Sequence, residues 1–304
     1  ARFVVANIEG AGSRVKGEGT TLSNGPASMA LEDRWILSRL SHTASEVNKL
    51  LSELQINEAA RALYEFFWGD YCDWYVEMAK VRLKAGDALA QPVLVQVLES
   101  SMRLLHPFMP FVTEAVWQHL RGAVEGLGPD SIMTAEYPMG DGAIDAEAEQ
   151  RMQTVIEIVR AIRNIRAERG VDPGRYVEAY VSSDGALPAL EAARPMLEAL
   201  ARVRPLHLVS DAAATPKTAV ASAVLARAQV VLPLAGLIDV AAERSRLSAQ
   251  LTEAEGEVRR LEGKLANEQF RSKAPADVVA REEERLAAAR RRVEGLRGRL
   301  GELG

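Results

Sequence analysis

Apolar residues recur at Leu247, Leu251, Ala254, Val258, Leu261 and Leu265 in alternating steps of four and three, the spacing of a heptad seam. The period returns further on. Val279, Leu286, Val293 and Leu300 form one row at steps of seven, Ala289, Leu296 and Leu303 form a second, and Glu282 occupies a seam position that ought to be apolar. Between the two runs lies Asn-Glu-Gln-Phe-Arg-Ser-Lys-Ala-Pro over 267–275, where Pro275 suits the first turn of a new helix and forbids a continuous one. Each arm is about 28 residues, or roughly 40 Å at 1.5 Å per residue. Equal arms joined by a short loop predict an antiparallel coiled-coil hairpin whose tip lies far from the body. Such a hairpin buries little area, which fits a device for reaching something large.

Upstream the helical period dominates. A helix is expected over 31–54, with Trp35, Ile36, Leu40, Val47, Leu50, Leu51 and Leu54 on its buried stripe. The next, over 56–84, places Phe67, Tyr71, Trp74 and Met78 at steps of four, three and four on one face. A third, over 91–121, must kink or break at His106-Pro107 and Met109-Pro110, because each proline removes an amide donor and clashes with the preceding turn. A fourth, over 147–169, turns Val155, Val159, Ile162 and Ile165 inward and Arg160, Arg163, Arg166 and Arg169 outward. The pattern then changes, with short strands over 176–181, 205–209, 219–223 and 228–233 and a helix near 187–202. The predicted fold is mainly α: a helical bundle over 1–172, a small α/β domain over 173–238 and the antiparallel hairpin over 239–304.

The chain of 304 residues is 48% hydrophobic, enough for two or three cores. No apolar run reaches membrane-spanning length and no secretory leader opens it, so a cytoplasmic protein with no membrane partner is expected. The single Cys72 excludes an internal disulfide and any multi-cysteine zinc site in this chain. A net charge of −5 argues against a uniformly basic binder of nucleic acid. Its distribution is uneven: 12 Lys and Arg stand against 21 Asp and Glu in 1–150, 11 against 9 in 151–239, and 14 against 12 in 240–304.

No catalytic constellation emerges. His42, His106, His119 and His207 lie apart, without metal-ligand or Cys-His spacing. Asp70, Asp73 and Glu77 share a helix face, but beside a buried aromatic stripe they read as a solvated or arginine-paired face, so neither a catalytic residue nor a metal ligand is expected. No glycine-rich phosphate loop is present. The aromatic stripe reads as core rather than as a base-stacking platform. Candidate phosphate contacts are Arg163, Arg166 and Arg169 on the bundle and, outside the heptad seam, Arg259, Arg260, Lys264, Arg271 and Lys273 on the arm.

Three strings carry a resemblance. Leu-Glu-Asp-Arg-Trp-Ile-Leu-Ser-Arg-Leu at 31–40, Leu-Tyr-Glu-Phe-Phe-Trp-Gly-Asp-Tyr-Cys-Asp-Trp-Tyr-Val-Glu-Met-Ala-Lys at 63–80 and Leu-Leu-His-Pro-Phe-Met-Pro-Phe-Val-Thr-Glu-Ala-Val-Trp at 104–117 resemble the anticodon-binding domain of class I aminoacyl-tRNA synthetases of the valine, isoleucine and leucine group. Residues 162–173, 234–244 and 267–275 are similar to valyl-tRNA synthetases. The long hairpin favours that member, and one cysteine cannot build the zinc module expected of a bacterial isoleucyl enzyme. The resemblance implies that the parent attaches valine to its tRNA with ATP and Mg²⁺, and that these residues bind the valine-accepting tRNA, and no DNA, without a cofactor of their own. Neither ATP-binding signature of the family occurs here, so a C-terminal piece that is inactive alone is expected. The resemblance places Arg2, Phe3 and Asn7 beside the anticodon loop, and a monomer is expected. Another synthetase of the group, or a coiled-coil module with a protein partner, are the alternatives.

Overall fold

The computed structural model describes residues 4, 15–16, 29–140, 142–183, 187–233, 240–267 and 276–301. The chain forms two compact units, one of Ala1–Glu157 with Pro188–Leu200 and one of Ile158–Leu187 with Ala201–Gly304.

The first unit is a helical bundle. Helix α1 (Leu31–Ser52) is followed by α2 (Ile56–Tyr64), which runs through a π-helical stretch (Glu65–Tyr75) into α3 (Val76–Lys84). Next come α4 (Ala90–Leu105), α5 (Pro110–Ala123) and α6 (Ala146–Glu168), which begins in this unit. The break between α4 and α5 falls at the two prolines, and Pro110 opens α5, where its missing amide costs nothing. On α1, Trp35, Ile36, Leu40 and Val47 are buried as expected. Leu54 is not: α1 ends at Ser52, and Leu54 sits in the following turn with a φ of 60° and 82% exposure. The α2–α3 helix also departs from expectation. Tyr71, Trp74 and Met78 are buried as expected, but the i→i+5 bonds of the stretch wind more slowly than an α-helix, so Phe66 and Tyr75 join them in the core and Phe67 is only half-buried.

Polar groups fix how these helices meet. Arg82 of α3 pairs with Asp33 at 2.7 Å, Glu32 at 3.3 Å and Asp87 at 2.7 Å, while the Tyr75 hydroxyl donates to Asp33 at 2.7 Å. Glu32 and Asp33 are buried, so removing Arg82 would strand two carboxylates away from water. The start of α6 is held to α1 by Arg34 and Ser38. Arg34 donates to Asp145 at 2.7 Å, and Asp145 also accepts the Ala148 amide at 2.9 Å in the manner of a helix cap. Gly140, with a φ of 80°, brings the loop before α6 so close that a Cβ there would lie 3.0 Å from the Ser41 carbonyl oxygen. Helices α7 (Leu187–Ala192) and α8 (Arg194–Ala201) follow later in the chain.

The second unit holds a four-stranded sheet and the hairpin. Strands β1 (Val177–Ser182), β2 (Val203–Val209), β3 (Val220–Val224) and β4 (Gln229–Pro233) are arranged in the order β2-β1-β4-β3. The β1–β2 pair is parallel and the other two are antiparallel, so only the first needs a helical crossover, which 187–201 supply. Val177, Ala179 and Val181 alternate into the core beside Val203, Leu206, Val230 and Leu232.

Helices α9 (Val240–Ala266) and α10 (Ala276–Gly301) form the hairpin, each about 40 Å long at 1.5 Å per residue. Pairs Glu255–Arg297 at 2.8 Å and Glu262–Arg290 at 2.7 Å show the arms running antiparallel. Leu247, Ala254, Leu261, Ala289 and Leu296 are buried in the predicted seam. Glu282, the anomalous seam residue, is buried too. It meets Lys264 of the opposite arm at 3.1 Å and Arg285 at 3.4 Å. Among the described residues no helix is long and apolar enough to cross a membrane.

Candidate nucleic-acid interface

The arginine row of α6 looks uniform in sequence and is not so in space. Arg160 and Arg163 are exposed, Arg169 is half-buried and Arg166 is buried. Its guanidinium donates to the carbonyl oxygens of Ala201 at 2.6 Å, Asp172 at 3.1 Å, Pro173 at 3.2 Å and Arg175 at 2.9 Å. Burial, then the neighbouring charges of Arg202 and Arg163, lower its pKa from the usual arginine value. The expectation of Arg166 as a surface contact is therefore corrected. The guanidinium fork suits a cage of carbonyls, and its burial keeps it from a phosphate at the surface.

Around this buried cation the chain gathers residues that are remote in sequence. Val177 of β1 registers with Val203 of β2, and the Val177 amide donates to the Arg202 carbonyl at 3.1 Å. Tyr176 thereby lies beside Arg202 and Arg204, whose guanidinium carbons are 6.0 and 5.3 Å from its ring centroid. All three side chains are exposed. Sequence reading passed over them because no local period links 176 to 202; only the strand pairing does. Next to them on the sheet, His207 stacks on Tyr180 with centroids 4.3 Å apart and meets Glu178 at 2.9 Å.

On the arm, Arg259 and Arg260 are exposed, and no ion pair involves them among the described residues. Arg259 borders a shallow groove of about 560 Å³ with Glu255, Val258, Arg290, Val293, Glu294 and Arg297. Lys264 differs from these two. Its ammonium holds Glu282 across the seam, so packing does explain it, contrary to its reading as a purely outward charge. Arg271 and Lys273 lie outside the described residues, as do Arg2, Phe3 and Asn7.

The remaining candidates have structural partners. Asp70 pairs with Arg39 at 2.8 Å and Glu77 with Lys80 at 2.5 Å. No group of three or more His, Cys, Asp or Glu side chains among the described residues could hold a metal ion. His106 bonds Thr113 at 2.7 Å, and His119 bonds the Ala115 carbonyl at 2.7 Å. Within the aromatic stripe Tyr71 donates to the Leu94 carbonyl at 2.8 Å, which together with the Tyr75–Asp33 bond makes these rings core. On the outer side of the same helix Tyr64 and Trp68 stack in the open, their centroids 6.0 Å apart.

Two family models match. Residues 33–181 match the anticodon-binding domain of tRNA ligases, and residues 239–304, the whole hairpin, match the valyl-tRNA synthetase tRNA-binding arm. The chain belongs to the valyl-tRNA synthetase family. Family members similar to it include the valine–tRNA ligase of Dehalococcoides mccartyi (strain CBDB1), 39% identical over 290 residues that cover 94% of this chain and 32% of that protein. The valine–tRNA ligase of Symbiobacterium thermophilum is 40% identical over 324 residues, covering 100% and 35%, and that of Bacillus subtilis (strain 168) is 38% identical over 283 residues, covering 90% and 31%. The chain thus spans about a third of the length of these relatives.

Proposed function

We propose that this chain is the part of a valine–tRNA ligase that grips the tRNA, while the rest of such a protein activates valine with ATP and Mg²⁺ and transfers it to the tRNA end. The match of the hairpin to a valyl-specific tRNA-binding arm carries the reading. The bundle takes the anticodon stem-loop, for which Arg2, Phe3 and Asn7 are the candidates, and RNA is recognised there through splayed bases and backbone shape. The arm takes the sugar–phosphate surface elsewhere on the same tRNA, through Arg259, Arg260, Arg271 and Lys273. These residues supply binding and orientation and no chemistry. In this reading ATP and Mg²⁺ belong to the rest of such a protein, because the family's ATP-binding signatures do not occur in the 304 residues. The protein acts as a monomer in the cytoplasm, with no DNA or membrane partner.

Acidic character on the bundle is compatible with this role, because only a local patch must meet phosphates and the remaining acid limits nonspecific attraction. Equilibrium binding of the purified chain to a valine-accepting tRNA, at several salt concentrations, tests the reading. Affinity should fall steadily with salt and should exceed that for a tRNA of another acceptor class. Equal affinity for both, or none, would overturn it.

A further inference from the structure

The sheet of the second unit has one face in the core and one that is not covered by its own side-chain alternation. Val177, Ala179 and Val181 point inward; Glu178 and Tyr180 take the opposite face, and Tyr176 precedes them in the same phase. At that edge stand Arg202 and Arg204, flanking the Tyr176 ring, which is 46% exposed. The ring fixes two guanidiniums near each other without neutralising either. Arg202 has one further bond, to the Gly174 carbonyl at 3.5 Å, too long to hold it firmly. Of the carboxylates in this region, Glu178 is engaged by His207 at 2.9 Å and by the Tyr180 hydroxyl at 3.1 Å, and Asp172 accepts the Gly174 amide at 2.7 Å. Beneath them lies the buried Arg166, so cationic charge is concentrated here in a chain that is acidic as a whole.

Arg202 holds a φ of 51°, in the left-handed region that favours glycine, at the turn entering β2, so glycine can replace its side chain there without added backbone strain.

We propose that Arg202, Arg204 and Tyr176 form a binding site for the sugar–phosphate backbone of the tRNA, with the two guanidiniums on successive phosphates and the Tyr176 ring holding them in place. The site rests on the tRNA-binding reading above and adds a contact on the small sheet to those on the bundle and the arm. Arg166 serves it as a positioning residue, by holding the 172–175 turn and the Ala201 carbonyl from below.

The test is the full chain carrying Arg202→Gly and Arg204→Gln, measured against valine-accepting tRNA. Glycine suits the left-handed turn, so thermal unfolding should stay at or above the wild-type midpoint. Affinity should drop about tenfold at 0.1 M salt, and the slope of log K against log salt should flatten by about 1.5 units, two phosphate contacts being lost. Arg204→Glu alone should weaken binding further than Arg204→Gln alone, while Tyr176→Phe, which keeps the ring, should bind as wild type. Unchanged affinity and slope in the double variant, with the wild type binding normally, overturn this site and leave the wider reading standing. Failure of the wild-type chain to bind tRNA overturns both.

Discussion

Arg163 and Arg166 stand one turn apart on α6 and have different tasks. Arg163 is exposed, whereas Arg166 donates to the buried Ala201 carbonyl and to three carbonyl oxygens of the 172–175 turn. Replacing Arg166 by methionine keeps most of the volume and removes every donor, so the Ala201 carbonyl would be buried without a partner and the 172–175 turn would lose its anchor. The expected loss is about 3 kcal/mol of stability in urea unfolding, against less than about 0.5 kcal/mol for Arg163→Ala. Lysine at 166 should recover little, since an ammonium cannot span carbonyls contributed by both the turn and the end of α8. Equal effects at 163 and 166 would contradict this division.

At the level of elements, the hairpin depends on one misplaced polar residue. Glu282 interrupts an apolar row and, among the described residues, is matched by Lys264 and Arg285, so the pairing is correct in one register and leaves a bare carboxylate in the seam in any other. The Lys264 hydrogen bond, reinforced by its charge and that of Arg285, holds the Glu282 carboxyl below the usual glutamate value. A depressed folded-state pKa means that the stabilisation is fully present above the unfolded value, about 4.3, and is lost as pH falls through the folded one. The helical melting point of the wild-type arm, followed by circular dichroism, should exceed that of Glu282→Gln at pH 7, and the difference should shrink on acidification toward pH 3. A difference independent of pH would show that the carboxylate charge contributes nothing. The other departure among the elements, the π-helical stretch, is a lesson in period. The 3.6-residue expectation chose Phe67 where the wider turn buries Phe66 and Tyr75.

For the whole molecule, the hairpin's seam is satisfied within α9 and α10, so removing residues 240–304 exposes the partners of that seam only with the seam itself. The truncated chain should keep the thermal transition of the bundle and lose affinity for full-length tRNA, yet bind an isolated anticodon stem-loop as before. A collapsed bundle, or undiminished affinity for the full tRNA, would refute this separation of tasks. The sequence by itself determined the elements: heptad spacing specified the two arms, proline placed the break between α4 and α5, and alternation located the strands over 177–182 and 229–233. Each of these signals is local, carried by residues within a turn or two of one another. Which cations face solvent was decided only by the tertiary structure. Arg166 differs from Arg163 because the 172–175 turn and the Ala201 carbonyl close over it, and Lys264 differs from Arg260 because Glu282 arrives from the other arm. Tyr176, Arg202 and Arg204 meet only because β1 and β2 pair across a helical crossover. Burial and juxtaposition depend on contacts between distant segments, and no period along the chain records them.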